Sequence, residues 1–132
     1  MSEKIAFIGL GAMGGPMASN IIKKGTKVSV FDIQSDRMKK VVEIGGVGSK
    51  NIEEAISNAQ IVITMLPATE QVKEVMLGEN GLISKLKPNS IIMDMSTISP
   101  KGTDEINKEC DKYQIHFVDA PVGRLVSHAI AG

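Results

Sequence analysis

The sequence predicts a doubly wound α/β domain, with a mainly parallel sheet and helices on both faces. Three observations carry that expectation. Short apolar runs alternate with amphipathic helical patterns along the whole chain, the order of repeated βαβ units. The first unit places Gly9-Leu10-Gly11-Ala12-Met13-Gly14 between an apolar run and a helical pattern, so a strand hands over to a helix through a glycine-rich turn. The second apolar run then stops at a carboxylate, Asp32, 18 residues after Gly14.

Each element has a local reason. Ile5-Ala6-Phe7-Ile8 is long enough for one buried strand. After the turn, Met13, Met17 and Ile21 recur every four residues with Ala18 and Ile22 beside them, giving a helix one apolar face. Pro16 suits its first turn, Lys23 and Lys24 suit its negative end, and Gly25 suits its C-cap. Val28-Ser29-Val30-Phe31 is the second strand. Residues 35–43 read as a short helix with Met38, Val41 and Val42 inward, ended by Gly45-Gly46, and a brief third strand is expected near 47–49. Asn51-Ile52-Glu53-Glu54 has the form of a capping box, before a helix presenting Ile52, Ala55, Ile56 and Ala59.

Residues 60–66 form the next buried strand, stopped by Pro67. A helix over 69–77 and a turn at 78–81 follow. The strand over 90–95 ends in two hydroxyls, Ser96 and Thr97. Ser99-Pro100 supplies a cap and a proline for a helix with Ile106, Cys110 and Tyr113 inward. Residues 115–118 make the last strand, and Asp119-Ala120-Pro121-Val122 leads into Gly123-Arg124.

At 132 residues the chain is expected to form one domain with its own core. Apolar content of 42% with only 3% aromatic makes that core aliphatic. Fifteen basic and fifteen acidic residues cancel, so no global field attracts nucleic acid or an acidic membrane. No apolar run approaches the roughly 20 residues that cross a bilayer. Met1-Ser2-Glu3-Lys4 passes directly into the first strand, leaving no room for a signal peptide. The single cysteine, Cys110, excludes an internal disulfide and reads as a small apolar helix residue. A cytoplasmic location is the expectation. His116 has no visible partner for catalysis, His128 follows the loop expected to reach the site but is read as structural, and no metal site is expected.

The glycine turn has a specific chemistry. Gly9 permits the tight exit from the strand, Gly11 lets a pyrophosphate approach the backbone, and Gly14 lets helix and strand pack closely. The N–H groups at the helix start, with the helix dipole behind them, then face the phosphates. Asp32 is placed to accept hydrogen bonds from the adenosine ribose, near the spacing of roughly 20 residues seen in dinucleotide sites. A carboxylate there favours a free 2′-hydroxyl and repels a 2′-phosphate, so NAD is expected in preference to NADP. Leu66 and Pro67, at the end of the fourth apolar run, are expected to wall the same site.

These residues carry a resemblance. Phe7-Ile8-Gly9-Leu10-Gly11-Ala12-Met13-Gly14-Gly15-Pro16-Met17-Ala18 resembles the signature of the β-hydroxyacid dehydrogenases, the family of 3-hydroxyisobutyrate dehydrogenase and, more distantly, 6-phosphogluconate dehydrogenase. Val30-Phe31-Asp32, Thr64-Met65-Leu66-Pro67, Asp94-Met95-Ser96-Thr97-Ile98 and Asp119-Ala120-Pro121-Val122 agree in order. The resemblance implies a Rossmann-type NAD(P)-binding domain of an oxidoreductase. Gly9, Leu10, Gly11, Ala12, Met13 and Gly14 would hold the cofactor, with Asp32 on its ribose, Leu66 and Pro67 along it, and Thr97 near its nicotinamide end.

Where the family usually continues Asp-Ala-Pro-Val with Ser-Gly-Gly, this chain has Gly123-Arg124-Leu125. The Gly-Arg variant, with Gly78-Glu79-Asn80-Gly81, resembles the branch that reduces sulfolactaldehyde and short semialdehydes. A guanidinium fork suits a sulfonate or carboxylate, so Ser96, Gly123 and Arg124 are expected to meet a small anionic hydroxyacid or semialdehyde substrate. Family members continue past the position of Gly132 into an all-helical domain carrying a lysine general acid. The resemblance therefore implies that no catalytic residue lies within 1–132 and that the isolated chain turns over poorly. An apolar surface left uncovered where the helical domain would dock makes a homodimer through that end a further expectation, separate from the resemblance. A non-catalytic NAD-binding module is the alternative, and a methyl-donor-binding domain a weaker one.

Overall fold

A computed structural model describes residues 4–122 and 126–131. The first apolar run forms β1 (Ile5–Ile8), in the middle of a six-stranded sheet. On one side lie β2 (Val28–Phe31) and then β3 (Val47–Gly48); on the other lie β4 (Ile61–Thr64), β5 (Ile91–Asp94) and β6 (His116–Asp119). Every pairing is parallel, and Ile8 stands level with Phe31 and Thr64. The crossovers run through α1 (Gly14–Lys23), α2 (Ser35–Val42), α3 (Ile52–Ile56), α4 (Thr69–Met76) and α5 (Pro100–Lys112). A 3-10 turn at Ile83–Lys85 and a short α6 (Val126–Ala131), neither anticipated from the sequence, complete the described elements.

The four central strands β1, β2, β4 and β5 are largely buried, as in parallel sheets, whereas the edge strands β3 and β6 are mostly exposed. Alternation along β1 divides the core: Ala6 and Ile8 join Val62, Val72, Met76, Ile92 and Ile106 on one face, while Phe7 joins Val28, Val30, Val41 and Ala18 on the other. Phe7 has no exposed surface, and deleting such a ring typically costs about 3–5 kcal/mol. The predicted inward stripe of α1 is present, with Ala18 and Ile22 buried and Met17 and Ile21 packed beside them.

Helix starts follow their caps. The Asn51 Oδ1 accepts the Glu54 N–H at 2.8 Å. The Glu54 carboxylate reaches back to the Lys50 N–H rather than to that of Asn51, also at 2.8 Å. Ser99 Oγ accepts the Gly102 N–H at 3.1 Å, with Pro100 in the first turn. Element ends depart from expectation in four places. α3 stops at Ile56 because Asn58 takes a left-handed conformation (φ 63°). Val42 and Tyr113 are exposed rather than inward: Val42 ends α2 one step off the buried Val41, and Tyr113 is the C-cap where α5 unwinds. The strand expected over 60–66 ends at Thr64, which frees Met65 and Leu66 to leave the sheet.

Candidate dinucleotide-binding cleft

The strand order reverses between β1 and β4, and a crevice forms where the chains leaving their C-terminal ends part in opposite directions. A cleft of about 740 Å³ opens there. Its walls include Gly9, Gly11, Ala12, Met13 and Gly14 from the turn, Asp32 from the end of β2, and Leu66 and Pro67 from the end of β4. These residues lie far apart in the chain and come together because three parallel strands end on one rim.

The three glycines do different work. Gly9 adopts φ +97°, and a Cβ on it would strike the Met65 carbonyl oxygen. A Cβ on Gly14 would strike the Gly9 carbonyl oxygen, so α1 sits directly against the end of β1. Gly11 is open, and a Cβ on it would meet only Arg37 Nη1, at 3.7 Å. The chain is tight where the turn is built and bare where a ligand would approach.

α1 starts with no side-chain cap and no acidic residue in its first turn. α2 and α4 likewise lack a side-chain cap, whereas α3 and α5 are capped by Asn51 and Ser99. Uncapped N–H groups at the positive end of a helix dipole suit a bound anion.

Asp32 is 6% exposed, and its carboxylate is fixed by the backbone. Oδ2 accepts the Leu10 N–H and Oδ1 the Gln34 N–H, both at 2.8 Å. Leu10 itself is buried and joins the site through this N–H rather than through its side chain. Each carboxylate oxygen retains a lone-pair direction, so Asp32 can still accept from hydroxyl groups in the cleft.

Ser96 needs correction. It is fully buried, and its hydroxyl accepts the Leu66 N–H at 2.8 Å, so it shapes the wall instead of meeting substrate. Beside it Asp94, fully buried, accepts from the Thr64 hydroxyl at 2.8 Å and the Ser96 N–H at 3.2 Å through Oδ1. Oδ2 has no hydrogen-bond partner among the described residues. Burial pushes this carboxyl above its ordinary range; the Ser96 and Thr64 bonds oppose the shift, and nearby Asp119 adds to it. Thr97 is exposed beyond β5 and is not part of the cleft wall. Gly123 and Arg124 lie outside the described residues.

The cleft also contains residues that the sequence alone did not single out. Arg37 stands one turn into α2, with Nη1 3.7 Å from Asp32 Oδ2. Gln71 and Val75, four apart on α4, face the cleft behind Pro67. The helical spacing of 71 and 75 was available beforehand; the approach of Arg37 was not.

Comparison with known proteins agrees with the geometry. The family model of the NAD binding domain of 6-phosphogluconate dehydrogenase matches residues 4–132. A 3-sulfolactaldehyde reductase of Escherichia coli K12 is 40% identical over 128 residues, which is 97% of this chain and 43% of that protein. A 3-hydroxyisobutyrate dehydrogenase of Pseudomonas aeruginosa is 38% identical over an equal share. Among solved structures, a Mycobacterium tuberculosis 3-hydroxyisobutyrate dehydrogenase with L-serine superposes with a TM-score of 0.91 at 32% identity, covering 99% of this chain and 44% of the other. The chain thus spans less than half the length of these relatives.

Proposed function

The chain belongs to the family of the NAD-binding domain of 6-phosphogluconate dehydrogenase, and from that premise we propose that it is the cofactor-binding part of an oxidoreductase acting on a small anionic 3-hydroxyacid or its semialdehyde. The observation that carries this is the cleft at the strand-order reversal, where the bare Gly11 faces the carboxylate of Asp32. The Gly9–Gly14 turn and the start of α1 hold the pyrophosphate, Asp32 accepts from the adenosine ribose, and Leu66 and Pro67 flank the dinucleotide. When bound, the nicotinamide supplies the hydride acceptor or donor. This chain binds and orients it; the general acid and an all-helical closing domain belong to the rest of the enzyme, as the β-hydroxyacid dehydrogenase resemblance implies. Arg124 anchors the anionic end of the substrate, and Thr97, beyond the cleft wall, lies toward the nicotinamide end.

Asp32 sets a preference for NAD over NADP, because a 2′-phosphate beside a buried carboxylate meets like-charge repulsion. A calorimetric titration of the chain with NADH and NADPH tests this. NADH should bind the more tightly, and Asp32→Ala should weaken NADH about tenfold and narrow the preference. An unchanged preference in the variant removes Asp32 from the role.

A further inference from the structure

Asp94 has no exposed surface and plays no part in the cleft wall, yet it is tied to that wall from behind. Ile8, Thr64 and Asp94 stand level across β1, β4 and β5, so the carboxyl lies two strands from the start of the glycine turn. β4 leaves the sheet just beyond Thr64. The Met65 N–H still reaches the Ile8 carbonyl at 3.0 Å, but the next N–H, that of Leu66, donates to the Ser96 hydroxyl oxygen at 2.8 Å. Ser96 is held in turn, its N–H donating to Asp94 Oδ1 at 3.2 Å. The Thr64 hydroxyl fixes the same oxygen from the neighbouring strand at 2.8 Å. Thr64, Asp94 and Ser96 are all fully buried, so water cannot stand in for a lost member.

This network reaches the glycine turn through packing. A Cβ on Gly9 would lie 2.2 Å from the Met65 carbonyl oxygen and 3.0 Å from Leu66 Cδ2. One on Gly14 would lie 3.4 Å from Met65 Cβ. Both glycines therefore rest on the Met65–Leu66 segment, and a shift of that segment moves the floor of the turn together with the Leu66-Pro67 wall. Bound geometry is sensitive to displacements of that kind, and groups that lock the contacting residues set how well they bind.

We propose that Asp94 is a positioning residue for the dinucleotide: by orienting Ser96 it keeps the Leu66 N–H bound inward and seats Met65–Leu66 beneath the glycine turn. It acts on the cofactor only through Ser96, Leu66 and the turn. The inference rests on the cofactor reading above. Burial pushes the Asp94 carboxyl above its ordinary range, so an uncharged amide with the same acceptor oxygen is a close substitute for it. Removing the Ser96 hydroxyl breaks the same relay one step later, because the Leu66 N–H is then left without its acceptor.

The test is calorimetric titration of NADH against the wild-type chain, Asp94→Ala, Asp94→Asn, Ser96→Ala and the core control Ile106→Val. Circular dichroism checks folding, and backbone NMR reads Leu66 and residues 9–14. Asp94→Ala should weaken NADH at least about tenfold and Ser96→Ala at least about fivefold, both moving the amide resonances of Leu66 and the glycine turn. Asp94→Asn should bind within about threefold of wild type, and Ile106→Val, which loses only buried packing elsewhere, should match wild type. Binding within about threefold of wild type in Asp94→Ala overturns the proposal and leaves the cofactor reading standing. If Asp94→Ala does not fold, wild-type binding by Ser96→Ala overturns it in the same way. A loss in Asp94→Asn or Ile106→Val equal to that in Asp94→Ala also overturns it. Failure of the wild type to bind NADH removes the cofactor reading and this proposal together.

Discussion

Gly11 and Gly14 have opposite surroundings, open around the first and packed against backbone around the second. A methyl group on Gly14 would overlap the Gly9 carbonyl oxygen, a backbone atom that cannot move without displacing the end of β1. Gly14→Ala should therefore destabilise the fold by about 3 kcal/mol, the upper end of overpacking costs. Gly11→Ala puts its methyl group into the open cleft, so stability should stay within about 1 kcal/mol while NADH affinity falls about tenfold. Denaturant unfolding and calorimetry on the two variants check this pairing, and equal stability losses would contradict it. Asp32 follows the same logic: its spacing from Gly14 was visible beforehand, but its two backbone donors were not. Cys110 bears out the bland expectation made for it, since burial pushes its thiol up to about 11 with Asp111 and Glu109 adding to the shift, which leaves little thiolate at neutral pH.

The ends of β4 and β5 show how neighbouring strands stiffen the cleft wall. Thr64 and Asp94 stand level in the sheet, and a chain of bonds runs from Thr64 through Asp94 to Ser96 and on to Leu66. The sequence marked Ser96 as a rim hydroxyl, because a residue just past a strand end normally faces the ligand. Its burial depends on the neighbouring strand offering an N–H, which spacing along one chain cannot reveal. For Asp94 the sign of the pH effect is fixed by burial. The folded state holds its proton more tightly than the unfolded chain, so the associated stability is complete below the ordinary carboxyl range and is lost as pH rises through the elevated value. Asp94→Asn keeps the shape and acceptor oxygen without titrating. Thermal unfolding from pH 4 to 8 should show a flatter pH dependence for the variant than for wild type; superimposable profiles would mean that Asp94 titrates as it does unfolded. Capping was the most readable feature, because Asn51 and Ser99 act within three residues of themselves.

For the molecule as a whole, the alternation of apolar runs and helical patterns was enough to predict a doubly wound sheet, and the chain folds with the order β3-β2-β1-β4-β5-β6. The walls of the cleft were equally readable, since the glycine turn, Asp32 and Leu66-Pro67 all lie at strand ends that this order brings to one rim. What stayed hidden depends on contacts between distant segments: the approach of Arg37 to Asp32, and the packing of α6 on α1 through the Asn20 amide and the Ala129 carbonyl. No helix among the described residues is long and apolar enough to cross a membrane. The central claim is that the crevice at the strand-order reversal binds the dinucleotide, and backbone NMR of the 14.1 kDa chain during an NADH titration tests it most directly. The largest shifts should fall on residues 9–14, on Asp32 to Gln34 and on Leu66, converging on saturation together. Saturable shifts confined to the β6 edge, or to the opposite ends of the strands, would contradict it.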